Sequence, residues 1–188
     1  ALFMALKTFF KEASFRSWPE DIRMHWGFAL DYYNRTLYFD VEFHKYLQFQ
    51  FARQWFALKA YANAKHIEIV GDIPIYVPMD SADVWARPDL FLLDESCHPV
   101  VVAGCPPDAF SEDGQLWGNP LYDWNYHRNT GFDWWCRRME HCFKMYDVVR
   151  IDHFRALSEY WSVPSSAKTA NSHKTNSRIC ARRSQKRQ

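Results

Sequence analysis

No apolar run in these 188 residues approaches the roughly 20 that a membrane-spanning helix needs. The opening Ala1-Leu-Phe-Met-Ala-Leu-Lys7 has neither a basic n-region nor a long apolar core, which excludes a secretory signal. The chain begins with Ala rather than Met, which points to processing or to a missing upstream part. GxGxxG, P-loop, GxSxG and HExxH patterns are absent, which weighs against nucleotide-binding, α/β-hydrolase and zinc-protease chemistry. The five cysteines, at 97, 105, 136, 142 and 180, are odd in number and show no CxxC or Cys/His ligand spacing. They read as free thiols in a reducing cytoplasm rather than as a disulfide framework or a zinc site. With 48% hydrophobic and 24% charged residues, the chain is neither disordered nor collagen-like. Its length suits one domain or part of one.

The composition is uneven. Residues 165–188 carry seven Lys/Arg, no Asp/Glu and no aromatic residue. Residues 1–164 hold 16 basic and 22 acidic residues and all 34 aromatics. The division falls at about Pro164. The basic tail lacks the aromatic interleaving of a single-strand binder. It therefore reads as a solvated, disordered end rather than as a nucleic-acid arm.

Hydrophobic periodicity organises the body. A short helix is expected near Leu2–Lys11 and another after Pro19. Phe43, Leu47, Phe51, Trp55, Leu58 and Ala62 recur at spacings of three and four, which predicts a helix of about 25 residues with one apolar core face and Asp40 as its N-cap. The β-branched run from His66 to Val77 predicts a buried strand ending near Asp72, where Gly71 and Pro74 interrupt the ladder. Residues 78–123 lack periodicity and read as a long loop region with short elements, a length that usually carries function. Thr130–Tyr146 is expected to be helical, with Trp135, Met139 and Cys142 on one face. Asp147–Asp152 reads as a second buried strand, and Phe154–Trp161 as the start of another helix. Helix, strand, long loop, helix, strand is the alternation of an α/β fold with a parallel sheet, open or closed into a barrel.

Both expected strands end in carboxylates, Asp72 and Asp152. In parallel α/β folds the carboxyl ends of strands line the active site. Arg150 lies two residues before Asp152, so the strand period of two places both side chains on one face. A guanidinium there would hold Asp152 ionised and fix its carboxylate plane. His153 adds a donor next door. A structural Arg–Asp pair at a strand end fits the same spacing. Residues 103–120 offer polar Asp108, Gln115 and Asn119 beside the rings of Phe110 and Trp117. That mixture suits sugars, whose CH faces stack on rings while their hydroxyls take side-chain hydrogen bonds. An ordinary turn-rich loop with packed aromatics fits it too.

Five ordered runs carry a resemblance: Val70-Gly-Asp-Ile-Pro-Ile-Tyr-Val77, Asp80-Ser-Ala-Asp-Val-Trp-Ala86, Val102-Ala-Gly-Cys-Pro-Pro-Asp108, Gly114-Gln-Leu-Trp-Gly-Asn-Pro-Leu-Tyr-Asp-Trp124 and Asp147-Val-Val-Arg-Ile-Asp-His-Phe-Arg155. Together they resemble glycoside hydrolase family 77, the 4-α-glucanotransferases or amylomaltases, from about Leu2 to Pro164. The resemblance implies an α/β fold: a partial (β/α)₈ TIM barrel of the α-amylase superfamily type with a long active-site loop insertion, occupying residues 1–164. It implies transfer of segments of α-1,4-glucans such as maltooligosaccharides, amylose, starch or glycogen, with no metal or organic cofactor and no nucleic-acid or membrane partner. By motif position Asp152 resembles the nucleophile, Arg150 its partner and His153 a substrate contact. Asp72 matches a carboxylate of the site. Residues from Asp108 to Trp117 match a loop that closes over the glucan, with Trp117 as its stacking ring.

The family's acid/base Glu belongs to a later motif that lies beyond these residues. Glu159 stands too near Asp152 to be its counterpart. Ala156 replaces the family's usual Gly. After Ala170 the pattern is expected to be lost, and the abrupt basic, aromatic-free sequence resembles a reading-frame change; a true truncation with a disordered tail is the other reading. Either the chain represents a 4-α-glucanotransferase, or it is an inactive fragment, at most a weak glucan-binding module.

Overall fold

The computed structural model describes residues 1–109, 111–170 and 176–178. It opens with a helical layer: α1 (Leu2–Phe9), a 3₁₀ turn (Phe15–Ser17), α2 (Glu20–Arg23), α3 (Gly27–Thr36) and α4 (Tyr38–Ala64). Helix α1 buries Phe3, Leu6 and Lys7 on one face. Lys7 is tolerated there because its ammonium finds three acceptors: Glu12 O at 2.8 Å, Ala13 O at 3.0 Å and the Asp80 carboxylate at 2.8 Å. The other oxygen of Asp80 accepts the Phe15 N–H at 3.0 Å. This knot ties the helical layer to the chain beyond the first strand.

Helix α4 corrects two expectations. Its N-cap is Leu37, and Asp40 lies inside the first turn, where a negative charge still complements the helix dipole. The stripe expected to form a core face is not buried: Phe43, Leu47, Phe51 and Leu58 are each about half exposed, and Val41 is the helix's one buried residue. Periodicity identifies an apolar face but not what covers it, and most of this one is open among the described residues. Trp55 is the anchored member, with its indole N–H donating to Met145 O at 2.8 Å and its ring edge-on to Tyr146.

Strand β1 (Val70–Pro74) pairs in parallel with β4 (Val148–Asp152), with Asp72 opposite Arg150 and Pro74 opposite Asp152. The strand therefore starts later and runs further than the sequence predicts. Ile67 is exposed: α4 ends at Ala64 with Lys65 as its C-cap, and His66 turns through a left-handed conformation. Neither strand is buried on both faces. Gly71 and Ile73 point inward, while Val70, Asp72 and Pro74 of β1 and Val148, Arg150 and Asp152 of β4 are exposed. Glycine is required at 71 because the Tyr146 ring lies against its backbone: an added Cβ would sit 2.1 Å from that ring. Gly71→Ala is expected to cost about 1–3 kcal/mol through overpacking. Urea unfolding would check this, and an unchanged midpoint would mean that the ring moves aside freely.

The long connection after β1 contains α5 (Ala82–Ala86), capped by the Ser81 hydroxyl, then a 3₁₀ turn (Pro88–Leu90), β2 (Val101–Cys105), β3 (Gln115–Pro120) and α6 (Trp124–Asn129). Helix α7 (Asp133–Met145) then leads into β4. Of the expected face of α7, Trp135 and Cys142 are buried and Met139 is half-buried, with Met145 buried beside them. Phe154–Trp161 does not begin a helix. A 3₁₀ turn (Phe154–Leu157) leads into β5 (Glu159–Pro164), whose β-prone Tyr-Trp-Ser-Val run adds to β2. The result is an antiparallel sheet of order β3-β2-β5-β6, with β6 at Asn176–Arg178. Of the expected tail, Ala170 is buried and its carbonyl accepts the Trp161 indole N–H at 3.1 Å. The four described cysteines are free thiols, and no described helix is long and apolar enough to cross a membrane.

Candidate functional site

The parallel pair brings three of the expected residues onto one face. Asp72, Arg150 and Asp152 alternate outward from adjacent strands, as the period of two requires. The guanidinium, however, does not grip Asp152. Arg150 Nε donates to Asp72 Oδ1 at 3.0 Å and Nη2 donates to Asp72 Oδ2, a two-pronged pair. The register explains the choice: Asp72 stands directly opposite Arg150, whereas Asp152 lies one row further along the same strand. Hydrogen bonding from Arg150 holds the Asp72 carboxyl below the usual carboxylate range. Asp152 presents an exposed side chain at the last position of β4.

Beyond Asp152 the chain turns sharply. His153 has a left-handed backbone, φ 53°, which is uncommon for a side chain with a Cβ and typical of constrained sites. Its ring meets Trp117 edge-on at 4.9 Å and lies 6.3 Å from Tyr76. Partial burial pushes the His153 pKa down. Gln115 accepts the Trp117 indole N–H at 2.9 Å and so orients that ring. The antiparallel sheet therefore stands over the carboxyl ends of the parallel pair.

The remaining expected residues have distinct places. Asp108 accepts the Ser111 N–H at 2.9 Å in a tight turn that also uses the left-handed Gly114. With His153, Arg155, Glu159 and Trp161, it lines a cavity of about 280 Å³. Asn119 turns to the backbone and donates to Val77 O at 2.9 Å. Phe110 lies outside the described residues. Among the described residues, no group of three or more His, Cys, Asp or Glu could hold a metal ion.

The sequence patterns do not single out Tyr76, Arg155 or Trp161, and they consider Glu159 only as an acid/base, not as part of this wall. The alternation of Glu159 and Trp161 about buried Tyr160 is the period of a strand, and it was the available signal for that wall. Tyr76 follows Pro74, where the strand phase breaks, so its direction had no such signal.

The profile of glycoside hydrolase 77, 4-alpha-glucanotransferase, matches residues 1–184, past the position where the pattern was expected to end. A 4-alpha-glucanotransferase of Clostridium butyricum is 52% identical over 175 residues, which are 93% of this chain and 36% of that protein. One from Streptococcus pneumoniae is 48% identical over 90% of this chain and 34% of its own length. The structure of amylomaltase from Streptococcus agalactiae in complex with acarbose superposes with a TM-score of 0.90 at 45% identity, over 95% of this chain and 36% of that one. The chain thus spans about a third of the relatives that it matches. With nearly its whole length matched by one profile, and with the shared fold, this chain belongs to the 4-alpha-glucanotransferase family, glycoside hydrolase 77.

Proposed function

We propose that residues 1–164 are part of the (β/α)₈ catalytic barrel of a 4-α-glucanotransferase that moves α-1,4-glucan segments between chains by a retaining double displacement. The observation that carries this reading is the placement of Asp72, Arg150 and Asp152 on one face of the parallel pair, with Asp152 at the carboxyl end of its strand, within a chain matched by that family. Asp152 attacks the anomeric carbon of the donor. Its oxygen forms the new bond as the bond to the leaving sugar breaks, and a protonated carboxyl delivers a proton to that sugar's oxygen. The same group, now a carboxylate, takes the proton from an acceptor 4-hydroxyl, which displaces Asp152 and closes the new glucan bond. A retaining pair of carboxyls stands about 5–5.5 Å apart. The acid/base Glu of this reading belongs to the part of the enzyme outside these residues.

Trp117, with Gln115 and Asp108, offers the sugar-stacking wall, and His153 reaches the donor beside Asp152. A wall that covers the intermediate favours a sugar hydroxyl over water, because it orients the acceptor and excludes solvent. The free thiols fit a reducing compartment such as the cytoplasm.

The test is a hybrid in which residues 1–164 replace the matching third of the Clostridium butyricum relative. The hybrid is expected to release glucose from maltotriose and to form longer glucans, whereas the 188-residue chain alone releases none. A folded hybrid that transfers nothing would sink the reading.

A further inference from the structure

The chain leaving β1 is held by side chains at three successive points. Pro74 O accepts Arg138 Nη2 at 2.6 Å. Ile75 O accepts the Tyr122 hydroxyl at 2.6 Å and Arg138 Nη1 at 3.2 Å. Val77 O accepts the Asn119 amide at 2.9 Å. Arg138 comes from α7, and its guanidinium carbon rests 5.3 Å from the Trp134 ring centroid and 5.2 Å from that of Trp135. Two indole faces and three oxygen acceptors, the Tyr122 hydroxyl at 3.4 Å included, fix a planar fork in a way that a point charge cannot match.

What this fork holds matters for the site. Pro74 is the ladder partner of Asp152. Two residues further on, buried Tyr76 stacks on Tyr122 at 6.3 Å and stands 6.3 Å from both Trp117 and His153. A shift of the β1 exit would therefore move the strand beside Asp152 and the ring beneath His153 together.

We propose that Arg138 is a positioning residue for the transfer reaction: by gripping the carbonyls of Pro74 and Ile75 it fixes the end of β1 beside Asp152 and sets Tyr76 against His153 and Trp117. The catalytic half of this inference rests on the function proposed above; the mechanical half does not. Arg138 touches none of the reacting groups and acts through the backbone.

Two measurements separate the halves. In the hybrid, Arg138→Met keeps the stem and removes the fork. It is expected to lower kcat about 10- to 100-fold, the scale of a small misplacement of reacting groups, with KM for maltotriose nearly unchanged. Here kcat is counted per active site that traps a covalent glycosyl-enzyme, so loss of folded protein does not register. Arg138→Lys falls between parent and Arg138→Met, and millimolar guanidinium restores part of the activity of Arg138→Ala while leaving the parent unmoved. Unchanged kcat per trapped site in Arg138→Met, or in Arg138→Lys if the first does not fold, would overturn the proposal. Hydrogen exchange needs no turnover. Protection at Ile75–Val77 and His153 is expected to fall in Arg138→Met but not in Arg137→Met, a neighbour that pairs with Asp133 on the exposed side. Equal protection in the two variants would overturn the mechanical half even in a hybrid without activity.

Discussion

Asp152→Asn in the hybrid enzyme is expected to lower glucose release from maltotriose at least about 10⁴-fold, the scale on which removal of one member of a catalytic group is felt. The amide has the carboxylate's size and fills the same exposed position at the end of β4. It lacks the charge needed to attack an anomeric carbon and to leave again as a carboxylate. The substitution is also clean. Arg150 is held by Asp72, so neutralising Asp152 strands no guanidinium, and the thermal midpoint should stay within a degree or two of the parent's. Turnover within tenfold of the parent, with that midpoint kept, would remove Asp152 from the nucleophile's role and leave the strand-end acids as structure.

The legible parts of this fold were those set by local period. The alternation of β4 placed Arg150 and Asp152 on one face before any partner was known, and the three-and-four spacing located α4 and α7. What could not be read was pairing across the chain. Arg150 finds Asp72 because β1 and β4 lie side by side in a register that no local pattern encodes. The same blindness explains α4, whose stripe of Phe43, Leu47, Phe51 and Leu58 is a true apolar face left open among the described residues. Strand β5 was missed for another reason. A single 3₁₀ turn at Phe154–Leu157 imitates the first turn of a helix, and the strand period appears only after it. Asn119 has hydrogen-bonding capacity that the sequence displays, but its amide donates to the Val77 carbonyl, a partner no local pattern encodes.

Asp72→Ala should be the second most damaging change, lowering kcat about 100-fold by misplacing a charged group beside the nucleophile. Arg150 keeps its charge whatever its partner. Without Asp72, the next carboxylate on its face is Asp152, one row along β4. A charge-assisted bond to Asp152 would stabilise it in the ground state and turn its oxygen away from the sugar, so the loss should fall on kcat rather than on KM. Asp72→Asn retains one acceptor for the guanidinium and should lose less. Acid follows the same logic. The Asp72 pKa is held low by its bonds to Arg150, so as pH falls the pair persists further than an unpaired carboxylate's charge would and is lost as Asp72 takes up its proton. A double variant carrying Asp72→Ala and Arg150→Met gives the cycle its closure: if the harm comes from a freed Arg150, the two losses will be far from additive. Equal kcat in Asp72→Ala and parent would mean that Arg150 keeps its place unaided. The bond between strands would then be one more exposed ion pair, of the kind that contributes little, and the orientation of Asp152 would have to come from the backbone of β4 alone.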